Sequence, residues 1–358
     1  MIIDVAKVFL PSIVSFVVGI FLTPFWAHYL YKNSMWKKRA GKVATDGRET
    51  PIFNKLHRHK EVGTPKMGGV IIWASVFVTT ILFWLGGEIF AGETAAKLTF
   101  LSRNQTWLPL FTLIIGSGIG LIDDYFDVTG TGDYRAGGLS LKKRLTVVAL
   151  TGLFGAWWFF SKLEVSSLAV PFAGEIGLGW LFVPVFICVM LFIYAGGVID
   201  GIDGLAGGVF ASTFAAYGGI AFFQNQIDLA AFCAVIVGGI LAFLWFNIPP
   251  ARFYMSETGS MGLTMTLTVV AFLTKAVLLL PLIAFPLFAT TFSDIIQLGS
   301  KKLRGGKKVF QVAPIHHHFE AIGWPGYKVT MRYWVLSVVC AVLGMVIALL
   351  GNQNILIG

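Results

Sequence analysis

Asp123 and Asp124 stand side by side at the end of an apolar run, Trp107 to Ile122. A charged side chain at membrane depth costs about 2.5–3.5 kcal/mol on insertion scales. Two in a row, with Asp127 close behind, need a functional reason. Successive helical residues point about 100° apart, so one carboxylate can hold a metal while its neighbour faces a substrate. A second acidic pair lies in Gly196-Gly197-Val198-Ile199-Asp200-Gly201-Ile202-Asp203-Gly204-Leu205. Asp200 and Asp203 share a face if helical, and the glycines let backbone approach a ligand closely. Glu257 follows Trp245-Phe246-Asn247-Ile248-Pro249-Pro250 and Tyr254, just before an apolar run opens at Ser260. An acid there complements a helix dipole or ligates Mg²⁺, which takes carboxylate oxygens and keeps several waters. Tyr254 offers an aromatic face to a base, or an interfacial anchor. Ala313-Pro314-Ile315-His316-His317-His318 is the last constellation. Adjacent histidines cannot all converge on one Zn²⁺, and beside Lys301 to Lys308 they read as phosphate contacts. Lys142-Lys143-Arg144 adds a further basic run, which also serves topology and lipid headgroups.

The elements that must position these residues are membrane spans. Of 358 residues, 56% are hydrophobic and 13% charged, against about 25% charged in soluble domains. The net charge of +9 at pH 7 sits in loops between apolar runs, which points to topology and anionic partners rather than nucleic acid. Cys188, Cys233 and Cys340 fall inside apolar runs without metal-ligand spacing and read as packing residues. The first run, Val8 to Leu30, reads as a retained span.

Apolar runs near 20 residues mark spanning helices. About ten are expected: 8–30, 68–86, 107–126, 145–162, 180–198, 205–223, 228–247, 260–274, 276–297 and 334–351. Alternation puts 31–67, 127–144, 199–204, 248–259 and 298–333 on one side. That side holds most Lys and Arg and is therefore cytoplasmic, with both termini outside. The Gly-rich stretch Val165 to Gly179 predicts a small outer hairpin. The expected architecture is one all-α polytopic membrane domain, residues 1–358, with an active-site cleft on its cytoplasmic face. Asp123, Asp124, Asp200, Asp203, Asn247, Glu257, Gln297 and His316 to His318 all fall on that face. Acids for a divalent cation, and histidines and basic residues for phosphates, point to phosphoryl transfer between a cytoplasmic nucleotide-linked donor and a lipid phosphate. No Walker loop, Gly-x-Ser-x-Gly or Rossmann fingerprint occurs.

From about Thr64 to Glu320 the chain resembles the phospho-N-acetylmuramoyl-pentapeptide transferases, within the polyprenyl-phosphate N-acetylhexosamine-1-phosphate transferases. Thr64-Pro65-Lys66-Met67-Gly68-Gly69, Asp123-Asp124-Tyr125, Asp200-Gly201-Ile202-Asp203-Gly204-Leu205, Trp245-Phe246-Asn247 and the His316 to His318 string carry the resemblance. It implies a Mg²⁺-dependent enzyme in the bacterial inner membrane. Its substrates would be UDP-N-acetylmuramoyl-pentapeptide and undecaprenyl phosphate, its products UMP and the first lipid intermediate of peptidoglycan. A homodimer is one assembly this leaves open. Carried over by motif, Asp123 acts on the lipid phosphate, and Asp124 supports the metal or the diphosphate. Asp200 and Asp203 line the nucleoside pocket, Tyr254 stacks on uracil, and Asn247 and Gln297 lie in the cleft. His316 and His317 meet the diphosphate, and Lys142 and Arg144 lie at the cleft. The family's Met-Gly-Asp-x-Gly-Ser reads here Met255-Ser256-Glu257-Thr258-Gly259-Ser260, so Glu257 stands at the metal-binding acid. Gly197 replaces an Asn, Lys66 a Thr, and Glu61 a Lys. Three other readings stay open: a transferase with another UDP-N-acetylhexosamine donor, a transporter, and an inactive binding paralogue.

Overall fold

The computed structural model describes residues 1–38, 41, 62–89, 93–131 and 138–356. Arg39, Lys42, Arg48, Lys55, Arg58 and Lys60 of the basic loop, and Glu61, lie outside the described residues. The first half comprises α1 (Ile2–Lys32), α2 (Val70–Ile89), a short α3 (Glu93–Leu98), α4 (Trp107–Thr129) and α5 (Leu141–Lys162). A hairpin of β1 (Ser167–Val170) and β2 (Gly174–Gly177) follows, then α6 (Phe182–Gly196), α7 (Leu205–Phe223) and α8 (Ile227–Asn247). The last part holds α9 (Ser256–Leu273), α10 (Leu280–Ile283), α11 (Phe285–Leu303), α12 (Ile315–Ala321) and α13 (Gly326–Leu356).

Eight helices among the described residues are long and apolar enough to cross a membrane. They coincide with the expected runs from 8–30 through 228–247 and with 334–351. The chain is thus a polytopic, almost wholly helical membrane protein. The run at 276–297 is not one straight span: its two helical pieces meet at an angle of 85°. Pro286, at the start of α11, has no N–H for the preceding turn, so the helix ends before it and restarts. The expected hairpin is present, antiparallel, with Leu168 opposite Ile176. Lys275 pins it at 2.6 Å through Glu175.

α9 is the centre of the bundle. Every residue from Thr258 to Phe272 is buried, although the helix carries Ser260, Thr264, Thr266 and Thr268. A helix buried all round must satisfy such hydroxyls locally, and Thr264 and Thr268 donate to carbonyls four residues back. α4 lies against it along Thr112, Gly116, Gly120 and Asp124, one residue every fourth position and hence one helical stripe. The stripe meets Thr266, Gly262, Glu257 and Thr258 on α9. A Cβ on Gly116 would stand 2.8 Å from the Gly262 Cα, and one on Gly120 would overlap the Glu257 carbonyl. Small residues let two backbones touch in lipid, where close packing replaces the hydrophobic drive. α2 joins the same point, since a Cβ on Gly69 would overlap the Gly259 backbone.

Gly120→Ala should therefore destabilise the fold by about 1–3 kcal/mol through overpacking. Gly118→Ala, where a Cβ meets nothing within 4 Å, should be neutral. Thermal unfolding of the two variants in one detergent checks this; equal midpoints would mean that the helices do not touch at Gly120.

Candidate active site

The stripe on α4 ends in an acid. Asp124 is fully buried, and its Oδ2 accepts from both the backbone N–H (2.9 Å) and the hydroxyl (2.6 Å) of Thr258. Thr258 lies in the first turn of α9, so the carboxylate also meets the positive end of that helix. Its Oδ1 accepts no hydrogen bond among the described residues. Asp123, next in the chain, is turned to the loop that opens α5: its Oδ1 accepts from the Leu139 N–H. Gly138 makes that approach possible; its φ is +72°, and a Cβ there would stand 2.7 Å from Asp123 Oδ1.

Ser140 caps α5, accepting from the Lys143 N–H, and so sets Arg144 one turn in. The Arg144 guanidinium donates to Glu257 Oε1 at 2.7 Å and lies 3.9 Å from Asp123 Oδ2. Tyr194, near the end of α6, directs its hydroxyl to the other Glu257 oxygen at 3.4 Å. Lys142 is exposed on the same first turn as Arg144.

A strap from residue 65 to 69 closes the other side. The Tyr254 N–H donates to the Pro65 carbonyl (2.9 Å), the Gly68 N–H to the Tyr254 carbonyl (2.8 Å), and the Gly69 N–H to the Met255 carbonyl (3.2 Å). Trp26 Nε1 holds the Met67 carbonyl at 3.0 Å. This stitching presents Lys66 to the acids: its ammonium donates to Asp127 and stands 3.6 Å from Asp124 Oδ1. Burial works against that charge, but Asp124 and Asp127 outweigh it and hold the ammonium above its usual range.

The second acidic pair joins through α9. Asp200 accepts from the Ser256 N–H at 2.7 Å, directly beside Glu257. Asp203 accepts from the Ala251 N–H at 3.3 Å, and its carbonyl accepts from Thr330. Gly201 lies against two histidines, since a Cβ there would stand 2.5 Å from His317 Nε2 and 2.7 Å from His316 Nε2. His317 is held by Glu320 Oε2, 2.8 Å from its Nδ1, leaving Nε2 toward Gly201. Asn247 and Gln297 are buried, and their amides hold backbone. Asn247 bridges the Gly204 N–H and the Phe253 carbonyl. Gln297 accepts from the Val309 and Phe310 N–H groups and donates to the Phe310 carbonyl.

Segments distant in sequence, 65–69, 123–127, 138–144, 194–203, 254–258 and 316–320, thus meet at one end of the bundle. Among the described residues, Asp123, Asp124, Asp127 and Glu257 face Lys66 and Arg144 as the cations of their ion pairs. Such a cluster of hard carboxylate oxygens, one of them buried and accepting no hydrogen bond among the described residues, fits Mg²⁺. No group of three or more His, Cys, Asp or Glu forms a metal cage among the described residues. Mg²⁺ does not require one, because it is bound through one or two carboxylates together with substrate phosphates. Sequence reasoning missed Thr258 and Tyr194 and took Lys66 only as a departure from a string. Thr258 was findable from the fourfold spacing Thr258, Gly262, Thr266, which mirrors Thr112, Gly116, Gly120.

Comparison with known proteins fits this geometry. A family described as glycosyl transferase family 4 matches residues 106–275, from the start of α4 to the end of α9. A phospho-N-acetylmuramoyl-pentapeptide-transferase of Listeria innocua is 37% identical over 299 residues, 82% of this chain and 87% of the relative. One of Chloroflexus aggregans is 31% identical over 360 residues, 97% of this chain and 91% of the relative. With such identity over nearly its whole length, the chain belongs to the phospho-N-acetylmuramoyl-pentapeptide-transferase family.

Proposed function

We propose that the protein transfers phospho-N-acetylmuramoyl-pentapeptide from its UDP-linked donor to undecaprenyl phosphate, giving UMP and the first lipid intermediate of peptidoglycan. The observation that carries this is Asp124, buried with one oxygen fixed by Thr258 and the other accepting no hydrogen bond among the described residues, and set among acids and two cations. In this reading the face lies in the cytoplasm of a bacterial inner membrane, where the donor is dissolved and the lipid phosphate lies at the bilayer edge; the excess of Lys and Arg in the loops of that side supports the orientation.

The reaction is a direct attack. A lipid phosphate oxygen forms a bond to the β-phosphorus of the donor, and the bond to the bridging oxygen breaks, releasing UMP. The second pKa of a phosphate ester is about 6, so the nucleophile is already ionised at neutral pH and strong base catalysis is unnecessary. Asp123, facing the 138–139 loop, orients that phosphate or takes its residual proton. Asp124 and Glu257 are the residues that would hold Mg²⁺, which supplies charge neutralisation on the diphosphate when bound. Arg144, paired with Glu257 in this structure, and His316 with His317 are the groups that would offset charge on the departing UMP. Lys142 adds a solvent-side cation at the mouth. Asp200, Asp203 and Tyr254 form the nucleoside side. Asn247 and Gln297 act there by fixing the loops that carry those residues.

Purified protein with undecaprenyl phosphate, UDP-N-acetylmuramoyl-pentapeptide and Mg²⁺ should release UMP, and UDP-N-acetylglucosamine should not replace the donor. Turnover of the second donor alone would assign a different sugar, and solute uptake without UMP release a transporter. Glu257→Gln should raise the Mg²⁺ concentration for half-maximal rate by about tenfold or more. An unchanged Mg²⁺ titration would remove Glu257 from the metal.

A further inference from the structure

The strap makes Lys66 an unusual member of the cluster. Its backbone is tied on both sides: its own N–H donates to the Met35 carbonyl at 2.9 Å, and its neighbours Pro65 and Gly68 are bonded to Tyr254. The ammonium therefore moves only through its own side-chain torsions. Among the described residues it has two acceptors within reach. One is Asp127, with which it makes a direct hydrogen bond. The other is Asp124 Oδ1, at 3.6 Å an ion pair but not a hydrogen bond. Because Thr258 occupies Oδ2, Oδ1 is the one Asp124 oxygen left to any cation.

We propose that Lys66 is a built-in counter-cation that competes with a divalent metal ion for Asp124 and so sets the affinity of the site for that ion. This rests on the reading of Asp124 as a metal-holding carboxylate. In the metal-free protein the ammonium keeps Asp124 from standing as an uncompensated buried charge, which would be strongly unfavourable. When a divalent ion takes Oδ1, two positive centres face each other across one carboxylate, and like charges at such range repel strongly in a partly dry site. Asp127 already holds the ammonium by a direct hydrogen bond, so a metal ion at Oδ1 displaces it from Asp124 without leaving it unpaired. The site would then hold its metal loosely until donor phosphates add their own negative charge. Metal and donor binding are thereby coupled.

The test is Mn²⁺ binding to the full-length, detergent-purified, metal-stripped protein without substrates, followed by electron paramagnetic resonance. Lys66→Met should bind Mn²⁺ about tenfold or more tighter than wild type, and Lys66→Arg, which keeps the charge, should stay near wild type. Tighter binding at one site per chain, with the thermal midpoint of the wild type retained, excludes metal uptake by a damaged fold. If Lys66→Met does not yield folded protein, Asp127→Asn is compared with Asp127→Asn/Lys66→Met, which keeps the wild-type net charge, with the same gain expected on losing the lysine. Wild-type binding with no gain in either lysine-free variant, or an equal gain in Lys66→Arg, overturns the proposal and leaves the metal site standing. Absence of Mn²⁺ binding in wild type and in both lysine-free variants overturns the metal reading as well.

Discussion

The contact of α4 with α9, backbone on backbone, is the constraint on which the site depends. Gly116, Gly120 and Gly262 bring the two helices so close that Asp124 reaches the first turn of α9. Burying a carboxylate is tolerable only if hydrogen bonds and charges replace its water. Here the Thr258 N–H, the Thr258 hydroxyl and the Lys66 ammonium do so. A side chain at Gly120 would push the Glu257 carbonyl away and separate Asp124 from its donors. Packing and chemistry are therefore one constraint: the glycines that hold the core together also hold the acid in place.

From that contact the rest of the site follows outward. α9 begins where Asp200 holds the Ser256 N–H, so the Asp200–Gly201 loop is tied to the same helix turn that serves Asp124. Gly201 then touches His316 and His317, which brings α12 in. On the opposite side the 65–69 strap, bonded to Tyr254 and Met255, delivers Lys66. Arg144 reaches Glu257 and Asp123 from α5. The resulting field is graded, with carboxylates innermost and cations against them. On the proposed reading, a divalent ion and a phosphate-bearing substrate would each complete a charge balance that neither would complete alone.

Much of this was legible in the sequence because membranes make strong patterns. Of about ten apolar runs read as spans, eight coincide with long apolar helices among the described residues, and the charges at Asp123 and Asp124 stood out against theirs. The clustering of acids and histidines at one face followed from alternation alone. The bend before Pro286 did not, since the apolar run continues through it unchanged. Nor did the work of Asn247 and Gln297, whose amides bond to backbone rather than stand open. Lys66 was hidden for a similar reason. Its partners Asp124 and Asp127 are about 60 residues away, and only the hydrogen bonds of the strap to Tyr254 show why it faces them. Side chains that act through long-range main-chain pairing leave no periodic trace.

The central claim is that Asp124 and Glu257 form a divalent-cation site at the end of the α4–α9 contact. A crystal structure of the protein soaked with Mn²⁺ and collected at a wavelength with strong manganese anomalous scattering tests it most directly. The account predicts one anomalous peak against Asp124 Oδ1 with Glu257 adjoining it. A peak elsewhere, with Asp124 bound only to Thr258 and Lys66, would contradict it.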